Sequence, residues 1–215
     1  HLLMRYERKY KIERLSLAVV QQAIRMHPAS FRSIYPDRQI NNIYFDTIGL
    51  RTFHDNVDGI ADRKKYRVRW YNRDIWQISQ PNFEIKIRQN QLGTKEVCPI
   101  ADFDLANLSV ITSTVNKLSH QQVPLRPVLI NSYLRSYYGT SDGRYRITID
   151  RDLRYFSCLN SRRFTTYNIV DKELVLEIKY DELLDNDSDR IMQHFPFRQT
   201  KSSKYVTGVL LSNPF

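Results

Sequence analysis

The stretch KYRVRWY, residues 65–71, alternates cationic with large apolar or aromatic side chains. Lys65, Arg67 and Arg69 occupy its odd positions, and a tyrosine, a valine and a tryptophan occupy the even positions that follow them. Because residues two apart lie on the same face of a β-strand, this pattern predicts a strand with one basic face and one apolar face.

Four other segments repeat this alternation, with charged residues on one parity and apolar residues on the other. They are Met4–Ile12, Asn82–Gln89, Arg144–Asp150 and Lys172–Tyr180. Most positions on the charged faces are cationic, and the acids there include Glu7, Glu84, Glu173 and Glu177.

A single strand of this kind is typical of a half-buried antiparallel sheet with a solvated outer face. Five strands with the same polarity favour another arrangement, because ordinary solvent faces mix the two signs of charge. If the sheet closes with its apolar face outward under helices, the basic face lines a cavity. Like charges repel strongly in a low-dielectric cavity, so we expect a polyphosphate-like anion inside it.

The rest of the chain predicts three further strands and four helices. The strands are Ile40–Asp46, Thr94–Ile100 and Val128–Tyr138, and the helices are Leu15–Met26 (capped by Ser16), Asp102–Leu118, a segment around Ser188–His194, and Ser202–Leu211. Consecutive strands with helices at a few places indicate an α+β fold built on a closed antiparallel β-barrel with peripheral helices.

No linker or internal repeat divides the chain, so one domain over residues 4–215 is expected. Residues 1–3, which precede Met4, are expected to be a remnant of cloning. The cysteines, Cys98 and Cys158, form no CxxC motif and are expected to be reduced thiols in a cytoplasmic protein. The apolar runs are too short to span a bilayer. Histidines 27, 54, 120 and 194 are expected at the surface.

The overall charge indicates a polyanionic partner. Thirty-three Lys and Arg against 23 Asp and Glu give a net charge of +10, which suits nucleic acid, an anionic membrane surface or a phosphate-rich small molecule. Single-strand binders place exposed aromatic rings among their cations for base stacking. Here the aromatic residues fall on the opposite parity from the cations, which disfavours nucleic acid.

Eight segments occur in the order seen in one known family. They are Tyr6–Tyr10, Ile43–Asp46, Tyr66–Tyr71, Phe83–Lys86, Arg126–Pro127 through Tyr133 and Arg135, Arg144–Asp150, Leu176–Lys179 and Lys201–Tyr205. In this order they resemble the VTC domain, the catalytic domain of the eukaryotic vacuolar transporter chaperone polyphosphate polymerase, also found as stand-alone bacterial proteins. That family belongs to the triphosphate tunnel metalloenzymes, which are CYTH-like.

The resemblance implies an eight-stranded antiparallel tunnel that holds a nucleoside triphosphate such as ATP, or inorganic polyphosphate, pyrophosphate or phosphate. It implies Mn²⁺ or Mg²⁺ as cofactor, with Glu177 as the metal ligand. The phosphate ligands it implies are Lys9, Arg67, Arg69, Lys86, Arg135, Arg146, Lys179, Lys201 and Lys204, with Tyr133 and Ser203 as hydrogen-bonding wall residues. Six of these, Lys9, Arg67, Arg69, Lys86, Arg146 and Lys204, are the expected catalytic residues.

One departure bears on the reaction. Hydrolytic relatives open with Glu-x-Glu-x-Lys, whereas this chain has Arg5 in place of the first acid, followed by Glu7 and Lys9. A lost carboxylate weakens a second metal site and water activation, which favours transfer to a phosphate acceptor.

Several alternatives remain open. Glu177 has a second interpretation as the salt-bridge partner of Lys179 and Lys86, and Glu7 and Glu84 are interpreted as neutralising groups. A polymerase, a hydrolase of the same fold and a non-catalytic triphosphate-binding module all fit the sequence. A membrane partner protein is not identified by it.

Overall fold

The computed structural model describes residues 5–90, 92–159 and 169–212, and the expected remnant at residues 1–3 lies outside them. The described residues form nine strands: β1 Arg5–Ile12, β2 Arg32–Asp46, β3 Asp62–Trp70, β4 Asn82–Gln89, β5 Leu92–Pro99, β6 Arg126–Gly139, β7 Tyr145–Ser157, β8 Ile169–Asp171 and β9 Leu174–Asp181. They also form five α-helices: α1 Leu17–Arg25, α2 Arg51–Val57, α3 Ser109–Ser119, α4 Asp185–Met192 and α5 Lys204–Ser212.

Eight of the strands close into a ring. Hydrogen-bonded neighbours run β6-β2-β3-β4-β5-β1-β9-β7, and β7 pairs back onto β6. Every pairing is antiparallel, and the three-residue β8 adds to the far end of β7. The ring confirms the predicted closed antiparallel barrel.

The outer face of the barrel is apolar and lies under helices. α1 places Val20 and Ile24 on a cluster formed by β1, β7 and β9. α3 places Ile111 and Val115 on a second cluster, which contains Trp70 of β3 and residues of β2, β4 and β6. These outward residues have the parity opposite to the cations, as the alternation predicts.

Helices α2 and α5 fill one end of the barrel. Phe53 of α2 and Tyr205 of α5 pack against Tyr44, Tyr133 and other residues in a third apolar cluster. α5 approaches the barrel closely at Gly208, where a Cβ atom would lie 2.4 Å from a Leu129 side-chain carbon. Glycine is therefore required at this contact.

A single carboxylate orders this end. Asp46 accepts hydrogen bonds from the backbone N–H groups of Thr52 and Phe53 at 2.9 and 3.0 Å, and it also accepts the Tyr205 hydroxyl at 2.6 Å. It thereby satisfies N–H groups at the start of α2 and ties α5 to the same place.

The structure differs from the predicted elements at several places. β2 begins at Arg32 rather than Ile40, and its first half is irregular because Pro36 lacks an N–H and the register shifts near Tyr35. α2 was not predicted, because the residue that caps it, Asp46, lies in the preceding strand β2. α3 begins at Ser109 rather than Asp102, since Asp104 holds the preceding segment in a turn by accepting the Ala106 N–H at 2.8 Å.

The surface prediction for His27 was wrong, because this side chain is buried. Its Nε2 lies 2.8 Å from the Ile191 carbonyl oxygen, and its Nδ1 accepts the Ala29 N–H at 3.0 Å. The ring also stacks on Phe195 with centroids 4.7 Å apart. Both nitrogens are satisfied, so His27 joins α1 to the end of α4 as a core residue.

Candidate functional site

The inward-facing side chains enclose a polar cavity of about 500 Å³ in the barrel. Among the described residues, two carboxylates, Glu7 and Glu177, line it. Eleven basic side chains of the described residues line it as well: Arg5, Lys9, Arg38, Lys65, Arg67, Arg69, Lys86, Lys95, Arg135, Lys179 and Lys204. This excess of positive charge gives the cavity a potential that favours a multiply charged anion.

Most of the residues implied by the family resemblance meet in this cavity. These are Lys9, Arg67, Arg69, Lys86, Tyr133, Arg135, Glu177, Lys179, Ser203 and Lys204. Arg146 has the inward parity and lies opposite Lys179, but it is exposed and lines a neighbouring depression that shares Arg5 and Lys179 with the cavity. Lys201 is exposed and does not line the cavity.

The cavity also contains residues that were not among the predicted ligands. Lys65 has the same strand parity as Arg67, so the sequence pattern could have identified it as a ligand. Arg38 lies in the irregular half of β2, where parity gives no guidance. Tyr71 and Tyr137 line the cavity too, which corrects the view that the aromatic residues all face away from the cations.

Strands β1 and β9 carry alternating charges across their ladder. Glu7 lies opposite Lys179, and Lys9 lies opposite Glu177. Glu7 accepts from Lys86 Nζ at 2.6 and 2.8 Å. Burial raises the pKa of Glu7, but Lys86 and then Lys179 outweigh it and lower the pKa to about 2. The carboxylate therefore stays ionised at neutral pH.

A buried ion triad lies between β6, β7 and α5. Arg135 donates Nε and Nη2 to the two oxygens of Asp150 at 2.6 and 2.8 Å, and Lys204 Nζ lies 2.6 Å from Asp150 Oδ2. Burial raises the pKa of Asp150, but Arg135 and then Lys204 lower it to about 2. Lys204 is the first residue of α5, so this triad places the helix N-terminus at the cavity wall.

A second buried carboxylate neutralises cations of β3 and β5. Arg67 Nε and Nη2 both lie 2.6 Å from Glu84 Oε2, and Lys95 Nζ lies 2.9 Å from Glu84 Oε1. Burial raises the pKa of Glu84, whereas Arg67 and then Arg69 lower it to about 2. Glu84 is thus the neutralising group that the sequence indicated.

The basic residues of the cavity fall into two sets. The paired cations have a carboxylate at salt-bridge distance and are Arg67, Lys86, Lys95, Arg135, Lys179 and Lys204. The unpaired cations have no such carboxylate among residues 5–90, 92–159 and 169–212, and they are Arg5, Lys9, Arg38, Lys65 and Arg69.

Three unpaired cations donate hydrogen bonds to neutral groups. Lys9 donates Nζ to the Ser202 carbonyl oxygen at 3.2 Å. Arg69 donates Nε to Asn42 Oδ1 at 2.8 Å and Nη2 to the Tyr133 hydroxyl at 3.2 Å. Lys65 donates Nζ to Ser203 Oγ at 2.8 Å. Burial, and then neighbouring cations beginning with Lys9, lower the pKa of Lys65 well below its usual range. A bound anion would relieve the repulsion that these side chains experience.

The two cavity carboxylates, Glu7 and Glu177, suit a metal ion whose other ligands are phosphate oxygens of the substrate. Within the part of the chain that the structure describes, no group of three or more His, Cys, Asp or Glu side chains could hold a metal ion. Glu177 Oε1 is buried, lies 3.0 Å from Lys179 Nζ and has no aligned hydrogen-bond donor. Mg²⁺ is commonly bound by one or two carboxylates plus substrate phosphates, so Glu177, with Glu7 nearby, suits it.

These features define a class of protein: a closed antiparallel barrel of the triphosphate-tunnel fold with a basic interior. Within residues 5–90, 92–159 and 169–212, each helix is too short or too polar to cross a lipid bilayer.

The chain belongs to the VTC domain family, whose model matches residues 4–213. No curated protein matches the sequence.

Solved structures of other proteins share the fold. An adenylate cyclase candidate from Vibrio parahaemolyticus has 13% identity and a TM-score of 0.55 over 94% of this chain and 97% of that chain. An adenylyl cyclase candidate from Hippeastrum with a dominant triphosphatase activity has 12% identity and a TM-score of 0.51 over 98% of this chain and 97% of that chain. At these identities the likeness establishes the fold alone.

Proposed function

We propose that this protein is a metal-dependent polyphosphate polymerase. It transfers the γ-phosphoryl group of a nucleoside triphosphate, with ATP as the expected donor, to the end of an inorganic polyphosphate chain. The observation that carries the proposal is the cavity itself, in which, among the described residues, eleven cations converge from seven strands and one helix around two lining carboxylates.

Arg5 supports transfer over hydrolysis. Hydrolytic members of the superfamily carry an acid at this position. In this chain Arg5 occupies the position and lines the cavity. A cation at this place adds an anion contact and removes a group that would help to activate water. The exchange suits an active site that receives a second phosphate chain as acceptor.

The proposed reaction asks the protein mainly for alignment and charge stabilisation, because the transition state of phosphoryl transfer is loose. Arg67, Arg69 and Arg135 present planar guanidinium groups that suit two-point contacts with phosphate. Lys86 and Lys204 add point charges at opposite walls. Together they hold the donor so that the bond between the γ-phosphorus and its bridging oxygen breaks as the acceptor oxygen bonds to the same phosphorus.

Helix α5 gives the phosphates a further contact. Ser203 precedes its first turn and accepts the Val206 N–H at 3.4 Å, and both Ser203 and Lys204 line the cavity. The positive end of the helix dipole therefore faces the anion. Glu177 is the proposed metal ligand. A divalent ion bound there would neutralise part of the charge on the phosphate oxygens.

A second candidate function is hydrolysis of triphosphate. Glu7 and Glu177 remain in the cavity, and the Hippeastrum protein of the same fold has a dominant triphosphatase activity. A triphosphate-binding module without turnover is the third candidate. The three differ in their products.

Incubation with ATP and Mn²⁺, followed by sizing of products on a gel and an orthophosphate assay, distinguishes them. The polymerase proposal predicts long polyphosphate and nucleoside diphosphate with little orthophosphate, all lost in Glu177→Gln. Orthophosphate from ATP or tripolyphosphate without long chains would establish the hydrolase. Stabilisation against heat by triphosphate without any product would leave the binding module.

A further inference from the structure

Aromatic side chains stand at the rim of the cavity among its cations. Tyr71 and Tyr137 both line it, and Arg38 lies beside them. Tyr71 is 37% exposed, and Arg38 is exposed as well. The guanidinium carbon of Arg38 lies 4.8 Å from the centroid of the Tyr71 ring. We name these three residues the aromatic rim.

The aromatic rim follows directly on the proposed phosphate ligands. Tyr137 lies two residues beyond Arg135 on the same face of β6. Tyr71 lies two residues beyond Arg69, directly after the end of β3, and lines the same cavity. The offset along the strand is about 7 Å. Arg38 lies opposite Arg135 across the β2–β6 ladder. A ligand that extends from these arginines toward the opening therefore meets the aromatic rim.

Core packing does not account for these tyrosines. Neither Tyr71 nor Tyr137 belongs to the apolar clusters formed by the described residues. The Tyr137 ring makes an edge-type contact with the Tyr35 ring, and the two ring centroids lie 5.7 Å apart. Burial raises the pKa of Tyr137 against the effects of Arg135 and Arg38, so its ring remains a neutral phenol. Part of the surface of each tyrosine ring is therefore open to the cavity.

We propose that the aromatic rim is a nucleobase-binding subsite, in which Tyr71 and Tyr137 contact the base of a nucleoside triphosphate whose phosphates extend to Arg69 and Arg135. The inference rests on the proposed function and adds the place where the base of the nucleotide donor binds. Stacking on aromatic rings is tolerant of base identity, because every base has a π-face. The larger purine rings should bind more tightly than pyrimidines.

The test compares ATP with inorganic tripolyphosphate, which has the phosphates but no base. Binding of each is titrated without divalent metal to wild type, Tyr71→Leu and the conservative variant Tyr71→Phe. We expect Tyr71→Leu to weaken ATP binding about tenfold, the order found for loss of one base-stacking contact. Tripolyphosphate affinity should change by less than about twofold, and Tyr71→Phe should bind both ligands as wild type does.

Equal losses for ATP and tripolyphosphate in Tyr71→Leu would overturn the subsite, because they would reveal a general disturbance of the cavity. An unchanged ATP affinity in Tyr71→Leu and in the double variant Tyr71→Leu/Tyr137→Leu would overturn it as well. Wild type that binds tripolyphosphate but not ATP would reject the subsite and leave phosphate binding intact. Wild type that binds neither ligand would reject the proposed function too.

Discussion

The paired and the unpaired cations share one cavity but differ in what holds them. Arg135 forms a two-point ion pair with Asp150, whose side chain is fully buried. Arg69, 6% exposed, is held by the amide oxygen of Asn42 and the hydroxyl of Tyr133. A buried cation without a carboxylate at salt-bridge distance is less well compensated, and it gains the most when an anion binds.

The two sets should therefore have separate effects. The paired cations position the strands and α5, so their loss should affect folding and binding together. The unpaired cations should contribute mainly to anion affinity, at some expense in the stability of the free protein.

The largest effect is expected from Asp150→Asn, which leaves Arg135 and Lys204 without their shared carboxylate. Removing one partner from a buried ion pair costs about 3–5 kcal/mol. We expect a loss of this size in the free energy of unfolding, measured with urea. Asp62→Asn, which removes an exposed acid at the start of β3, is the matched control and should change little. Equal stability of the two variants would contradict a structural role for the triad.

Arg69→Met should separate affinity from stability. A charged hydrogen bond contributes about 1.5–3 kcal/mol, so tripolyphosphate should bind roughly 10- to 100-fold more weakly by calorimetry. The loss of unfolding free energy should be smaller than for Asp150→Asn, because no buried charge is left alone. Arg135→Met should reduce both quantities. If both arginine variants lost stability to the same extent, the division into two sets would be wrong.

Asn42→Asp converts an unpaired cation into a paired one. Asn42 lies opposite Arg69 on one side and Asn131 on the other, and it donates to Asn131 Oδ1 at 2.8 Å. A carboxylate there should engage Arg69 and weaken tripolyphosphate binding about tenfold, in the range of one charged contact, without lowering unfolding free energy. Gln39→Glu, the same amide-to-acid change at a position of opposite parity on β2, should bind normally. Similar losses in both variants would indicate a general charge effect instead.

The smallest effect is a proton linkage. Burial lowers the pKa of Lys86 to about 8 against the raising effect of Glu7, and the pKa of Lys65 is also lowered. A bound anion favours the charged amines, so binding should raise both pKa values, and affinity should fall as pH rises above 8. The test is calorimetry at pH 8.5, about half a unit above the pKa of Lys86, in two buffers of different ionisation enthalpy. It should show proton uptake on binding, and the uptake should be smaller in Lys65→Met. Proton release would contradict this.

Much of the barrel could be predicted from sequence, because parity is a local property. The pattern around Arg67 and Arg69 places cations on one face whatever the neighbouring strand is. The first half of β2 could not be predicted, since bulges and Pro36 remove the alternation there. Helix α2 depends on Asp46 and on Tyr205, which is distant in sequence, so no local signal defines it.

The division into paired and unpaired cations was beyond sequence reasoning for a different reason. Arg67 faces Glu84, and Arg135 faces Asp150, only because the strands meet in a particular register. Parity gives the face of a residue but not its partner across the ladder. The aromatic rim was missed because most tyrosines on these strands have the opposite parity and belong to the core.

Convergence of the cations on one anion site can be measured by calorimetric titration of tripolyphosphate into the wild-type protein at physiological salt. A cavity in which the cations converge should bind one tripolyphosphate per chain, and the double variant Lys65→Met/Arg69→Met should abolish that binding, while the exposed-surface variant Arg154→Met retains it. Weak, non-stoichiometric binding that all of these variants reduce alike would contradict the account, because it would reflect the net charge of the surface rather than a built site.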